Sequence, residues 1–203
     1  QMGINADNTC IQFRTLNTGK GPAVQSLRAQ ADKKRYQMLM KETCENTPNL
    51  DIKQLTIDKI VVEHGNIMGV VAETGEYYES QTVVLASGTY LQGRIIIGET
   101  VYDGGPNGQR GAMRLSASLL QNGIKLMRFK TGTPARVDAR TLDYDKMIRQ
   151  SGDEECRNFS FMSDERTRKQ VCCWLTYTTS ETHRIIRENM HRAPMANGVI
   201  KGV

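Results

Sequence analysis

Thr82-Val83-Val84-Leu85-Ala86-Ser87-Gly88-Thr89 is the stretch whose reading decides the expected fold. Val83 to Ala86 form a short apolar run closed by Ser-Gly-Thr. That pattern predicts a strand buried on both faces and ending at a backbone turn. In open α/β sheets, ligands sit just beyond the carboxyl ends of such strands. Gly88 allows close approach to the main chain, and Ser87 and Thr89 add hydroxyls. The same pattern occurs in α/β chains of many functions, so its neighbours carry the weight.

Upstream, residues 50–80 read as β-structure. Leu50 and Ile52 open a strand that Ile57 and Ile60-Val61-Val62 continue or follow. His64-Gly65-Asn66 is a tight turn, Ile67 to Ala72 a further strand, and Thr74-Gly75 turns into Glu76-Tyr77-Tyr78-Glu79. Two-domain flavoproteins place such a meander between a crossover helix and their last FAD-contacting strand, an analogy that speaks to fold rather than function. Earlier still, Cys10 to Leu16 reads as a short strand. Pro22 after Gly21 marks a helix start, predicting a helix from Pro22 to Asn46 with Val24, Leu27, Ala31, Met38 and Leu39 turned inward. Its first amides, beside Lys20, form an anion site, and Arg28 can face a ligand there.

Downstream, Leu91 to Gly98 keeps the β character, Gly104 to Gly108 reads as a flexible loop, and Ala112 to Gln121 as a helix closed by Asn122-Gly123. Ile124 to Lys130 is expected as a strand running into Thr131-Gly132-Thr133-Pro134. Arg128, Lys130, Arg136 and Arg140 crowd this loop, which can hold a phosphate or carboxylate. An ordinary basic connector is the competing reading. Ser151 to Lys169 is expected as an exposed polar excursion, Val171 to Thr179 as a strand, and Ser180 as the N-cap of a helix over Glu181 to Met190. His64, His183 and His191 read as solvent-facing, and no Ser/His/Asp or Cys/His catalytic spacing emerges.

The chain has 203 residues, 38% of them hydrophobic, with mean hydropathy −0.49. No apolar run approaches the ~18 residues of a membrane span, and Gln1 to Asp7 carry no signal-peptide pattern. Beginning and stopping in mid-pattern, the chain is expected to be an internal fragment. The formal charge of +5 is uneven: residues 1–100 hold 10 Lys+Arg against 11 Asp+Glu, and residues 101–203 hold 17 against 11. A basic second half permits RNA as partner, although a solvated basic face gives the same composition. Cys10, Cys44, Cys156, Cys172 and Cys173 match no metal-ligand spacing and read as reduced thiols of a cytoplasmic protein.

Several strings together resemble one family. They are Ile11-Gln12-Phe13-Arg14, Lys20-Gly21-Pro22-Ala23-Val24, Arg28-Ala29-Gln30-Ala31-Asp32, Val83-Val84-Leu85 with Gly88-Thr89, Lys130-Thr131-Gly132-Thr133-Pro134 with Arg136, Asp138, Ala139, Arg140 and Thr141, Phe159-Ser160-Phe161-Met162, and Ala193-Pro194-Met195. The chain resembles the glucose-inhibited division protein A family of tRNA-modifying enzymes over its whole length.

The resemblance implies an α/β fold class: the central part of a two-domain FAD-binding, glutathione-reductase-like fold with β-meander, plus an inserted mixed α+β domain. Residues 1–100 would be the partial FAD-binding domain and 101–203 the basic inserted domain. It further implies FAD as cofactor, NADH as reductant, a folate one-carbon donor, tRNA as substrate, an MnmE-type GTPase as partner and a homodimeric full-length enzyme. The implied activity installs a carboxymethylaminomethyl group on C5 of a wobble uridine. Flavin contacts would align with Ile57 and Ala112, with Lys20, Gly21, Pro22, Gly88 and Thr89 nearby by fold logic. The family's Gly-rich fingerprint and its catalytic cysteines match no position here, and Cys173 occupies a strand position outside their motif. The fragment alone is therefore expected to be inactive and to retain FAD poorly. Alternatives are a relative of the folate- and FAD-dependent tRNA uracil methyltransferase, or a non-enzymatic RNA- or partner-binding module.

Overall fold

The computed structural model describes residues 1–155, 157–164 and 169–198. In chain order its elements are α1 (Met2–Thr9), β1 (Cys10–Leu16), β2 (Ser26–Ala31), α2 (Lys33–Glu45), β3 (Ile57–Glu63), β4 (Asn66–Ala72), β5 (Tyr77–Glu79), β6 (Arg94–Ile97), β7 (Thr100–Asp103), α3 (Leu115–Gln121), β8 (Ile148–Gln150), β9 (Cys173–Leu175) and α4 (Ser180–Asn189). The chain divides into two units, one of residues 1–52 and 136–177, the other of residues 53–135 and 178–203.

In the first unit, β1 and β2 pair antiparallel. The helix expected from Pro22 to Asn46 is helical only in its second half. Ser26 to Ala31 alternate exposed and half-buried, a period of two that suits a strand facing β1. Asp32 then caps α2, its carboxylate accepting from the Lys34 and Arg35 amides, so the true start signal is an Asp rather than Pro22.

A second, short pair, β8 with β9, lies in the same unit. Side chains stitch it to β1. Gln12 Nε2 donates to the Gln150 and Val171 carbonyls at 3.1 Å each, the Phe13 amide donates to Gln170 Oε1 at 2.7 Å, and the Thr15 amide to Asp153 Oδ2 at 2.6 Å. A Cβ on Gly152 would meet Phe13 O at 2.8 Å, so the crossing requires glycine.

Helix α1, which no local pattern announces, buries Asn5, Asp7 and Thr9. Asp7 accepts from the amides of Phe159 and Ser160 and from the Ser163 hydroxyl at 2.9, 3.0 and 2.6 Å. Within the excursion expected to be exposed over 151–169, of which 156 and 165–168 lie outside the described residues, the turn at 159–163 is therefore pinned at Asp7, and Phe159 packs on Phe13 with ring centroids 5.5 Å apart. Its outer residues Phe161 and Met162 do stand in solvent.

The second unit is built on the meander β3-β4-β5, antiparallel throughout. His64 and Gly65 both take positive φ, 50° and 82°, which gives the expected tight hairpin turn. Leu50 and Ile52 open no strand. Helix α3 lies on β3, where Ile60, Leu115 and Leu119 form the core, with Ile57, Val62, Ile67, Val70, Val83 and Leu91 packed around it. The Ile60 amide donates to Ser118 Oγ at 3.0 Å, so a helix side chain completes the strand's outer edge. Gly123, at φ 81°, closes α3 as expected, although the helix begins at Leu115 rather than Ala112.

The decisive stretch departs from its reading. Residues 82–86 form no strand, and Val84 is 92% exposed. A strand buried on both faces needs parallel neighbours supplied by crossover connections, whereas every strand pair among the described residues is antiparallel. Only Val83 reaches the core. Ile124 to Lys130 likewise form no strand and are exposed. The β character of 91–98 resolves into β6, paired with β7 in a hairpin. Of Val171 to Thr179 only Cys173–Leu175 is strand. Thr179, not Ser180, caps α4, exchanging side-chain and backbone hydrogen bonds with Thr182 in a capping box, which leaves Ser180 as the first helical residue.

Candidate cofactor and phosphate sites

The second unit gathers Gly88, Thr89 and Ala112 at one knot of backbone. After Gly88, at φ 53°, the Tyr90 amide closes onto the Ser87 carbonyl at 3.0 Å and the Gly93 amide onto Tyr90 O at 3.2 Å. The segment from 104 to 112 then folds onto this turn. Ala112 N donates to Tyr90 O at 2.9 Å, the Gln92 amide to Ala112 O at 3.0 Å, and the Gly104 amide to Gly93 O at 3.0 Å.

Glycine is required at the crossing by proximity. A Cβ on Gly93 would drive into Gly104 O, and one on Gly105 would meet the Tyr90 ring at 2.8 Å. Gly104 and Gly105 are buried, which corrects the reading of 104–108 as a flexible loop. The Tyr90 hydroxyl donates to Gln109 Oε1 across the same crossing. Tyr90, Gly93 and Gln109 were not singled out in the sequence; the signal available was glycine recurring at 88, 93, 104, 105 and 108. By contrast, a Cβ on Gly88 would meet no heavy atom within 4 Å. The turn is tied by backbone hydrogen bonds and close glycine contacts on one flank and has open space beside Gly88 on the other.

Ile57 opens β3 opposite Ala72 and packs at the margin of the core. Lys20, Gly21 and Pro22 belong to the first unit, exposed in the β1–β2 connection where Pro22–Val24 makes one 3-10 turn. Because the helix begins at Lys33, the amides near Lys20 are not a helix N-terminus.

The basic loop is divided as well. Arg128 and Lys130 belong to the second unit, Arg136 and Arg140 to the first. Arg128 Nη1 donates to the Gln92 carbonyl at 2.8 Å, tying it to the glycine knot. Arg140 grips Asp138 through Nε and Nη2, with contacts of 3.0 and 2.5 Å. That hydrogen bond, joined by the Arg140 backbone amide, holds the Asp138 carboxyl below its ordinary value and raises Arg140. Asp143 is taken by Lys146 at 2.8 Å. Lys130 and Arg136 are exposed and have no ion pair among the described residues.

Cys44, Cys172 and Cys173 are free thiols, the Cys10 thiol donates to the Gln12 carbonyl at 3.2 Å, and Cys156 lies outside the described residues. No cluster of metal-ligating side chains occurs among the described residues. His64, His183 and His191 are exposed, as read from sequence. On α4, Arg184 bridges Glu181 and Glu188 at 2.5 and 2.6 Å, and its hydrogen bond lowers the Glu181 carboxyl. No helix among the described residues is long and apolar enough to cross a membrane.

Comparison with known proteins covers the whole chain. The family described as Glucose inhibited division protein A matches residues 1–203. Two similar relatives are the tRNA uridine 5-carboxymethylaminomethyl modification enzymes MnmG of Heliobacterium modesticaldum, 56% identical over 202 residues, and of Caldicellulosiruptor saccharolyticus, 57% identical over 203. Each alignment takes in 100% of this chain and 32% of the relative. Among solved structures, GidA of Aquifex aeolicus in its form I crystal superposes with a TM-score of 0.89 at 45% identity, covering 100% of this chain and 35% of that one. The fold is thus the mixed α/β arrangement of that structure, with antiparallel sheets and no barrel among the described residues. The chain spans about a third of the length of the curated relatives it matches.

Proposed function

This chain belongs to the glucose inhibited division protein A family, and from that premise we propose that it is part of an FAD-dependent enzyme that modifies the wobble uridine of tRNA. The observation that carries the reading is identity of 56–57%, sustained along the entire chain, to two tRNA uridine-modifying enzymes. The proposed activity installs a carboxymethylaminomethyl group on C5 of the uridine in concert with an MnmE-type GTPase.

The residues present fit a flavin at the glycine knot. Gly88 exposes backbone in a left-handed conformation with open space beside it, and Thr89 adds a hydroxyl. In this reading Gly88, Thr89 and Ala112 line the cofactor and Ile57 contributes its main chain, while Lys20, Gly21 and Pro22, which belong to the other unit, are proposed as cofactor contacts separately. A bound flavin would supply two-electron transfer between NADH and a folate-borne one-carbon unit. The chain's own share is positional. Hydrogen bonds from Ala112 and Gly104 hold the 88–93 turn still, so little ordering is left to the moment of binding. Arg128, Lys130, Arg136 and Arg140 are proposed to meet tRNA phosphates, the first and last from side chains already steered by Gln92 and Asp138.

The test uses the full-length protein. A flavin absorbance band in the purified enzyme, and nucleoside analysis showing the carboxymethylaminomethyl product when the GTPase, GTP, tRNA, NADH, a one-carbon folate as source of the methylene and glycine as source of the carboxymethylamine are supplied, are expected. A Gly88→Val change, forcing a β-branched residue into positive φ, should cut flavin content more than it lowers Tm. Full flavin occupancy in that variant would move the cofactor away from the turn, and a methylated uracil product would assign the methyltransferase chemistry instead.

A further inference from the structure

The β1–β2 hairpin carries a like-charge pair that has no ion-pair partner among the described residues. Its register sets Arg14 directly opposite Arg28, as it sets Gln12 opposite Gln30 and Leu16 opposite Ser26. Residues two apart on a strand share a face, so the arginine pair and the glutamine pair lie on the same side. The glutamine pair confirms that face. Cys173 Sγ reaches Gln12 Oε1 at 3.2 Å and Gln30 Oε1 at 3.4 Å, sealing one end of the hairpin. One step further out, Arg28 is exposed and Arg14 half-buried. Neither side chain makes a hydrogen bond or ion pair among the described residues.

Like charges directly opposite on paired strands destabilise the pairing. From Cys10 to Ala31 the hairpin contains Arg14, Lys20 and Arg28 and no acidic residue, so nothing within it answers them. Elsewhere the arginines of this chain are commonly neutralised: Arg114 by Asp58, Arg110 by Glu73, Arg184 by two glutamates, Arg192 by Glu99. Two guanidinium groups presented side by side from a rigid backbone match a phosphate better than two lysines would, because each offers a planar fork of donors.

We propose that Arg14 and Arg28 form a cross-strand phosphate clamp that grips the sugar-phosphate backbone of the RNA substrate. The proposal rests on the tRNA reading above and adds to it a contact surface in a different part of the chain from the loop at 128–140. A dinucleotide cofactor also carries phosphates, so the experiment separates the two sources.

Arg14→Gln, Arg28→Gln and the double variant are made in the full-length enzyme. Measured are tRNA affinity at several salt concentrations, flavin content, and Tm without tRNA. Each lost phosphate contact should lower the slope of log K against log[salt] by about 0.7–0.9, with the double variant losing both increments and binding all tRNAs more weakly alike. Flavin content should be unchanged, and Tm unchanged or raised, since removing one arginine relieves the repulsion. A merely structural pair predicts the reverse, a lowered Tm with the slope intact. That result overturns the inference, as does loss of flavin with an unchanged slope, which would give the phosphate to the cofactor. Wild-type enzyme that modifies tRNA while the double variant keeps its slope removes this clamp and leaves the functional reading standing. A reduced slope in a protein that modifies no uridine does the opposite.

Discussion

The two units of this chain hold themselves together by different chemistry. The unit of residues 53–135 and 178–203 has an aliphatic centre, Ile60 with Leu115 and Leu119, clamped between one helix and a meander. The unit of residues 1–52 and 136–177 buries Phe13 but otherwise, among the described residues, Asn5, Asp7, Thr9 and Gln12, of which Asp7 and Gln12 bond residues more than 130 positions away. Apolar burial is non-directional and forgiving of small shifts. A buried polar contact is directional, and a lost partner leaves the other group desolvated and unpaired. The first arrangement should fail by cavity, the second by orphaned donors.

The largest effect expected from that contrast is at Leu119, which is fully buried. Leu119→Ala should cost about 2–5 kcal/mol through lost transfer energy and the cavity left behind. Hydrogen exchange on the full-length protein is the informative readout. Protection at the Ile60 amide should fall while that of the Phe13 amide, bonded to Gln170, is retained. Equal loss at both sites would break the distinction between the units.

A smaller effect is expected at Asp7. Asp7→Ala leaves the Phe159 and Ser160 amides without their acceptor, which should cost about 1–3 kcal/mol. Protease cleavage between Asn158 and Asp164 should become faster, because the carboxylate is what fixes that turn. Wild-type cleavage rates in the variant would show that the Phe13–Phe159 contact holds the loop without it, and the polar description of this unit would then be too strong.

The same contrast explains how much was legible in the sequence. The meander and the close of α3 could be read because their signals are local: alternating Ile and Val, the His64-Gly65 turn, and Asn122-Gly123 at a helix end. The pinned loop at 158–163 could not. Nothing in Phe159-Ser160-Phe161-Met162 announces that an Asp more than 150 positions earlier supplies its acceptor. The helix begun too early at Pro22 is an instructive error. Val24, Leu27, Ala31 and Met38 fit a helical stripe, but Ser26 to Ala31 fit period two equally well, and pairing with β1 decides between them. Val83 to Ala86 failed for the opposite reason. The apolar run reads as a strand, but residues 82–86 form none, because a central strand exists only with neighbours and none pairs with it among the described residues. At the candidate sites, the individual residues of the glycine knot were recognised, while their mutual packing through Tyr90, Gly93 and Gly104 depended on a crossing that no local pattern encodes.

The smallest effect belongs to the exposed pair Asp138–Arg140, which tests whether surface polar contacts share the weight of buried ones. The Asp138 carboxyl lies below its ordinary value, first because the Arg140 side chain donates to it and second because the Arg140 amide does. A carboxyl depressed in the folded state stabilises the fold at pH values above the unfolded value, about 3.9. That contribution is lost as pH falls through the folded value. Across pH 5 to pH 8 that contribution is present in full and constant, so this pair adds no pH dependence to Tm there, and Asp138→Asn should lower Tm only slightly because the pair is exposed. NMR titration of Asp138 in the full-length protein should show a depressed midpoint that returns to the ordinary carboxylate range in Arg140→Ala. Solvent and salt screen an exposed pair, so 0.5 M salt should shrink the depression. The same pair bears on RNA binding. Arg140 already has a carboxylate, whereas Lys130 and Arg136 have no ion pair among the described residues, so Arg140→Ala should change the salt slope of tRNA binding less than Lys130→Ala or Arg136→Ala. A midpoint at the ordinary value in wild type, or an Arg140 effect as large as its neighbours', would show that the pair does not persist in solution.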